Sequence, residues 1–172
     1  MRTKEEIEGF LDKLGVEGAY REVEPGLWVV KPGGPLDFDM VVHYSPPVVV
    51  LRVKVMELPK DKAVLASLSK RLLELNASDL LHGSYGIEQN AIVLTEALEL
   101  AHLDYEEFLA SYESMTLALA SHMREIGALG TTGEHRIPAI AKKPARAAKA
   151  KKAAPKKKTR TAKGGGRKRG RR

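Results

Sequence analysis

An α+β fold, with an antiparallel sheet packed by helices and followed by a disordered basic tail, is predicted by three features of the sequence. Apolar residues recur at helical spacing, then in alternation, then at helical spacing again. Turn residues cut these stretches into the order α-β-β-β-α-β-β-α, with the first β region open to a further split. The patterning stops at Gly130, after which large apolar residues almost vanish. One domain over residues 1–129 and a Lys/Arg/Ala-rich tail over residues 130–172 are therefore expected, in keeping with domain sizes of about 100 to 150 residues.

Each element has its own signal. Thr3 and Glu6 form a Thr-x-x-Glu capping box, and Ile7, Phe10, Leu11 and Leu14 then share one helical face up to a stop at Gly15. Extended segments follow at Tyr20 to Glu24, Leu27 to Lys31, Asp39 to Tyr44 and Val48 to Met56, separated by Pro25-Gly26, a Pro/Gly loop and Pro46-Pro47. Leu51, Val53 and Val55 alternate in part with Arg52, Lys54 and Glu57, which predicts one buried and one more solvated face, with helices on one side only. Between Asp61 and Leu75, Val64, Leu65, Leu68, Leu72 and Leu75 share a helical face opposite Lys62, Lys70, Arg71 and Glu74. Tyr85 to Glu88 and Ala91 to Leu98 flank Gln89-Asn90, a hairpin turn in which Asn tolerates positive φ. Asp104 and Glu107 open the closing helix, with Phe108, Leu109, Tyr112, Met115, Leu119 and Met123 inward.

Composition narrows the chemistry. The chain has no cysteine, so disulfides, thiolate metal sites and thiol nucleophiles are excluded. No apolar run approaches the ~20 residues of a membrane span, and the first residues lack a signal-peptide core, so a soluble cytoplasmic protein is expected. His43, His82, His102, His122 and His135 are scattered, without the paired spacing of a metal or acid–base site, and read as surface or core residues. Ser111 and Ser114 have no adjacent His-Asp arrangement, and Gly164-Gly165-Gly166 lacks the strand and Lys-Ser/Thr of a phosphate loop. No enzyme, metal or cofactor is predicted.

Charge divides the chain. Residues 1–129 carry 12 Lys and Arg against 21 Asp and Glu, a net −9, whereas residues 130–172 carry 17 against the single Glu134, a net +16. The tail cations group as Lys142, Lys143 and Arg146; Lys149, Lys151 and Lys152; Lys156, Lys157, Lys158, Arg160 and Lys163; and Arg167, Lys168, Arg169, Arg171 and Arg172. With no aromatic among them to stack on bases, they predict nucleic-acid binding without sequence preference, driven by counterion release. The competing expectation is a tail that folds back on the acidic body.

Leu72-Leu73-Glu74-Leu75-Asn76, Ser84-Tyr85-Gly86-Ile87, Ala91-Ile92-Val93-Leu94 and Leu103-Asp104-Tyr105-Glu106-Glu107-Phe108-Leu109 together resemble the YbjN and Tir-chaperone (CesT-like) group over residues 3 to 123. The tail resembles those of linker-histone-like proteins. The first resemblance implies a secretion-chaperone-like fold, a small, usually dimeric module, and binding of peptide segments of a protein client in place of catalysis. The basic tail departs from that pattern. The predicted function is thus protein binding with nucleic-acid tethering. The alternative is a nucleoid-associated, histone-H1-like DNA-binding protein whose globular part mainly dimerises. Trp28, Val49 and Leu51 are the expected protein interface, as apolar strand surface that a second copy would cover in a homodimer.

Overall fold

A computed structural model describes residues 1–15, 19–32 and 38–130 of the 172-residue chain. Helix α1 (Lys4–Lys13) starts at the expected capping box. Thr3 Oγ1 accepts from the Glu6 N–H at 3.3 Å, and the Glu6 carboxylate accepts from the Thr3 N–H at 2.8 Å, so two otherwise orphaned donors are satisfied. Ile7, Phe10 and Leu11 are buried, and the chain leaves the helix through Gly15 at φ +70°, where a side chain would be strained.

The first β region, expected as three strands open to a split, consists of four: β1 (Tyr20–Glu24), β2 (Leu27–Val30), β3 (Met40–Ser45) and β4 (Val48–Glu57). They form an antiparallel meander. Pro25-Gly26 turns the first hairpin, with Gly26 at φ +76° against Tyr44 and its N–H donating to Glu22 Oε1 at 2.8 Å. Helix α2 (Lys62–Ser78) begins where the Asp61 carboxylate accepts from the N–H groups of Ala63 and Val64. The hairpin of β5 (Ser84–Glu88) and β6 (Ala91–Glu99) follows, and α3 (Tyr105–Leu129) closes the domain behind an Asp104 cap. In the β5–β6 turn it is Gln89, at φ +54°, that takes the left-handed conformation, not the Asn expected there. Helix α3 runs beyond Met123, adding buried His122 and Ile126 to its inward stripe.

Strand order is β1-β2-β3-β4-β6-β5, all antiparallel. Helix α2 and β5 are inserted between β4 and β6, so β6 returns beside β4 and leaves β5 at the edge. All three helices pack on one face, as the alternation predicted. Ile7, Phe10 and Leu11 of α1, Leu68, Leu72 and Leu75 of α2 and Phe108, Met115, Leu119 and Ile126 of α3 join Trp28, Val30, Met40, Val42, Val49, Leu51, Val53 and Leu94 of the sheet in one core. Burial of each such side chain contributes about 1.5–3 kcal/mol against the entropy of ordering it.

Two glycines flanking Tyr85 test the backbone directly. Gly83 sits at φ +80°, and a Cβ there would lie 3.3 Å from Thr95 O and 3.5 Å from Met115 Cγ, whereas a Cβ on Gly86 would meet nothing within 4 Å. Gly83→Ala is expected to lower unfolding free energy by about 1–2 kcal/mol. Gly86→Ala is expected to raise it by about 0.5 kcal/mol. Urea midpoints at unchanged slope measure both, and equal shifts would contradict the assignment.

Candidate protein-binding surfaces

Where helices cover only one side of a sheet, period-two alternation assigns every strand residue to the covered or the open face. Trp28, Val49 and Leu51 lie on the covered face and are fully buried in the chain's own core, so the expectation that they form an open surface for a second copy is corrected. The reason is local. In β4, Arg52 and Lys54 mark the face opposite Leu51 and Val53 as the solvated one, but β2 and β3 carry apolar residues on both faces and do not by themselves show which one the helices occupy.

The open face is a different set. One row crosses all six strands as Arg21, Val29, Val41, Arg52, Thr95 and Ser84, and a second runs through Leu27, His43, Val50 and Ala97, with Lys54, Val93 and Gly86 alongside. No described helix packs there. Val29, Val50 and Val93 are half-buried by their neighbours alone. Arg52 reaches across β6 to Glu88, with Nη1–Oε2 at 2.6 Å, and Lys54 Nζ pairs with Glu57 at 2.5 Å. This face therefore combines a valine surface with fixed charges, the composition of a surface that meets a partner yet stays in water without one.

The sheet edge at β5 is closed by a side chain. Asn76 of α2 accepts from the Tyr85 N–H at 2.8 Å and donates to the Tyr85 carbonyl at 3.1 Å, so one amide takes the place of a neighbouring strand. The surrounding surface is apolar, with Leu73 67%, Leu81 89% and Ile87 55% exposed. Beneath it, the buried His122 ring places Nδ1 2.9 Å from Tyr85 Oη and Nε2 3.6 Å from Asp79 Oδ2. Burial pushes the Tyr85 phenol well above its ordinary range. Arg71 of α2 grips Glu125 of α3 through Nε at 2.6 Å and Nη2 at 3.1 Å, and the carboxyl of Glu125 is held below its usual range by that hydrogen bond.

Ser111, His82 and Glu96 also converge, but not as a nucleophile relay. Ser111 Oγ at 3.2 Å and Glu96 Oε1 at 4.0 Å approach the same ring atom, His82 Nδ1, and Ser111 is fully buried. A relay needs hydroxyl and carboxylate on opposite nitrogens and an accessible oxygen. Among the described residues no group of His, Asp and Glu is arranged to hold a metal, and no helix is long and apolar enough to cross a membrane. His43 and His102 are exposed, while the seventeen Lys and Arg of residues 130–172, His135 and Gly164-Gly165-Gly166 lie outside the described residues.

His82 and His122 were read from sequence only as surface or core histidines, and Asn76 only as part of a motif. The signal for His122 was present. It follows Leu119 by three residues and precedes Ile126 by four, on the buried stripe of α3. Asn76→Ala removes both contacts to Tyr85 and is expected to cost about 1–3 kcal/mol. Hydrogen exchange of the Tyr85 amide should accelerate first; unchanged protection there would show that the clamp is not formed.

The family profile CesT_Tir_1 matches residues 1–131. Among solved structures, the chain is similar to YbjN of E. coli, at 16% identity over 72% of this chain and 93% of that one, with a TM-score of 0.56. It is also similar to a chain of the heterodimeric ExoU–SpcU complex from the type III secretion system of Pseudomonas aeruginosa, at 13% identity over 72% of this chain and 96% of that one, with a TM-score of 0.53. No curated protein sequence matches it. The sequence resemblance and the fold thus lead to one conclusion: this chain belongs to the CesT/Tir chaperone family of non-enzymatic protein-binding domains.

Proposed function

We propose that residues 1–129 hold an extended segment of a client protein, in the manner of a secretion chaperone, and that the basic residues 130–172 tether the complex to nucleic acid. The observation that carries the first part is the six-stranded sheet, whose Val29, Val41, Val50 and Val93 face no described helix covers. An extended segment laid on that face would bury the valines and find Arg52 at its centre. The ExoU–SpcU complex, a heterodimer from a secretion system, supports this kind of use of the fold. In the absence of a client, a second copy would cover the same face, giving a homodimer. Val50→Asp places an unpaired charge in the middle of the surface without touching the core. It is expected to weaken capture of arrayed client peptides at least ten-fold and to reduce the mass seen by light scattering to that of a monomer. Wild-type binding and mass in this variant would remove the open face from the proposal.

A second reading, a nucleoid-associated DNA-binding protein, rests on the charge division of −9 in residues 1–129 against +16 in residues 130–172. Under it, deleting residues 130–172 abolishes all function; under the first, the truncated protein keeps its client. Both require the full chain to bind duplex nucleic acid without sequence preference. If roughly 8 cations engage phosphates at once, log affinity should fall against log salt with a slope of about −7, and residues 1–129 alone should not bind. Titration of two unrelated duplexes across a salt series tests this. A salt-independent affinity, or equal binding by the truncated protein, would overturn the tether.

A further inference from the structure

One row of the open face carries two arginines with only valines between them. Arg21 of β1 pairs with Val29 of β2, Val29 with Val41 of β3, and Val41 with Arg52 of β4, so the two arginines stand three strands apart on one line. Both lie on the side away from the helices. The neighbours of Arg21 along β1, Tyr20 and Glu22, meet Asp12 and Lys4 of α1 on the covered face, and Arg52 alternates with buried Leu51 and Val53. Val29 is half-buried and Val41 buried, an apolar floor between the two cations. The row ends in Thr95 and Ser84 and holds no carboxylate.

Neither guanidinium is saturated. Arg21 is exposed and makes no ion pair among the described residues. Arg52 meets Glu88 through Nη1 at 2.6 Å, and Glu88 lies off the row, further along β5 than Ser84. The Arg52 Nε–H is sealed from solvent without an acceptor, a costly position for a charged donor. The side chain as a whole is nonetheless 32% exposed, so an acceptor arriving from the open face reaches the rest of its fork. Carboxylates are the acceptors that an arginine fork holds most strongly.

Given the open face as the client surface, on which this reading depends, we infer that Arg21 and Arg52 select the client. The row takes an extended segment that crosses the strands and carries two carboxylates four residues apart, with an apolar residue midway. The spacing follows from backbone dimensions. Strands lie about 4.8 Å apart, so three steps cover about 14 Å, which an extended segment spans in about four residues at about 3.4 Å each. An even number returns side chains to the same side, so both carboxylates and the residue midway face the sheet. Crossing at a near right angle is one of the two ways in which extended layers stack. A Lys- or Arg-rich segment sets like charge against both arginines, and a neutral one gives them no charged acceptor. A segment lying along β4 instead meets Arg52 and Lys54 and does not reach Arg21.

Titration of the full chain with short synthetic threonine–valine peptides tests the spacing and the charge together. The peptides carry two glutamates four residues apart around a valine, the same glutamates three apart, or two glutamines or two lysines four apart. The first is expected to bind about ten-fold tighter than each of the others. Any attraction to the cations of residues 130–172 is the same for both glutamate peptides, so the difference between the two spacings reports the row. Arg21→Gln and Arg52→Gln should each remove most of that difference. Arg21→Gln, at an exposed position of the edge strand, keeps the test valid if Arg52→Gln does not fold. Equal binding at the two spacings, no binding by any peptide, tighter binding of the lysine peptide, or an undiminished preference in both arginine variants would overturn the inference. So would a fall to monomeric mass in the arginine variants with peptide binding unchanged, which would assign the row to a second copy. The client surface itself is judged separately, by whether Val50→Asp weakens capture of arrayed client peptides.

Discussion

One-sided burial is the constraint on which the rest of the structure depends. Three helices pack against a single face of a six-stranded sheet, and the core they close contains Trp28, Val49, Leu51, Phe108 and Leu119 with no contribution from the other face. A two-layer arrangement satisfies the backbone of every inner strand, because β2, β3, β4 and β6 each have two neighbours. Among the described residues it leaves two places where the sheet meets its surroundings without cover by a helix: the open face and the edges. At the edges, β1 carries exposed Arg21 and Glu22 and a register shift between Glu22 and Glu24, devices that discourage pairing with another chain. At β5 the device is the Asn76 amide.

That choice ties edge protection to helix position. Asn76 lies in the last turn of α2, so Tyr85 keeps its backbone partners only while α2 stays docked. Docking in turn draws on few buried residues of a 17-residue helix, Leu68, Leu72 and Leu75, supplemented by Arg71–Glu125 and Asp79–His122. The half-exposed Arg71–Glu125 pair is worth little in water, and Asp79 approaches the His122 ring only to 3.6 Å. The α2–β5 corner is therefore the part of the domain whose order depends most on polar contacts and least on the core, and local opening is expected to begin there.

Much of this was legible in the sequence because it is written in local chemistry. Caps at Thr3 and Asp104, the Pro25-Gly26 turn and the stripe of α2 each follow from residues a few positions apart. What was not legible depends on which parts meet in space. Trp28 was assigned to an interface because nothing within β2 says which face the helices cover, and for Val49 and Leu51 the alternation with Arg52 and Lys54 in β4 already marked the buried side on which α1, α2 and α3 pack. The Gln89 conformation departs from the residue preference because the hairpin register fixes where the left-handed residue must fall. His82 and His122 acquire their partners from segments 29 and 37 residues away, a separation that no spacing rule covers.

The charged residues on the open face bear on what kind of partner it suits. A sheet face made only of valine would stick to any apolar surface, including another copy in an unintended register. Here Arg52 and Lys54 interrupt it at the centre, each fixed by a carboxylate, Glu88 and Glu57. An incoming segment must cover these ion pairs without breaking them or supply its own acceptors, since a charge left buried and unpaired costs far more than the valines return. If this face holds the client as proposed, specificity would rest on the charges and affinity on the valines between them, which would favour a segment alternating apolar and polar residues at strand spacing over a uniformly apolar one.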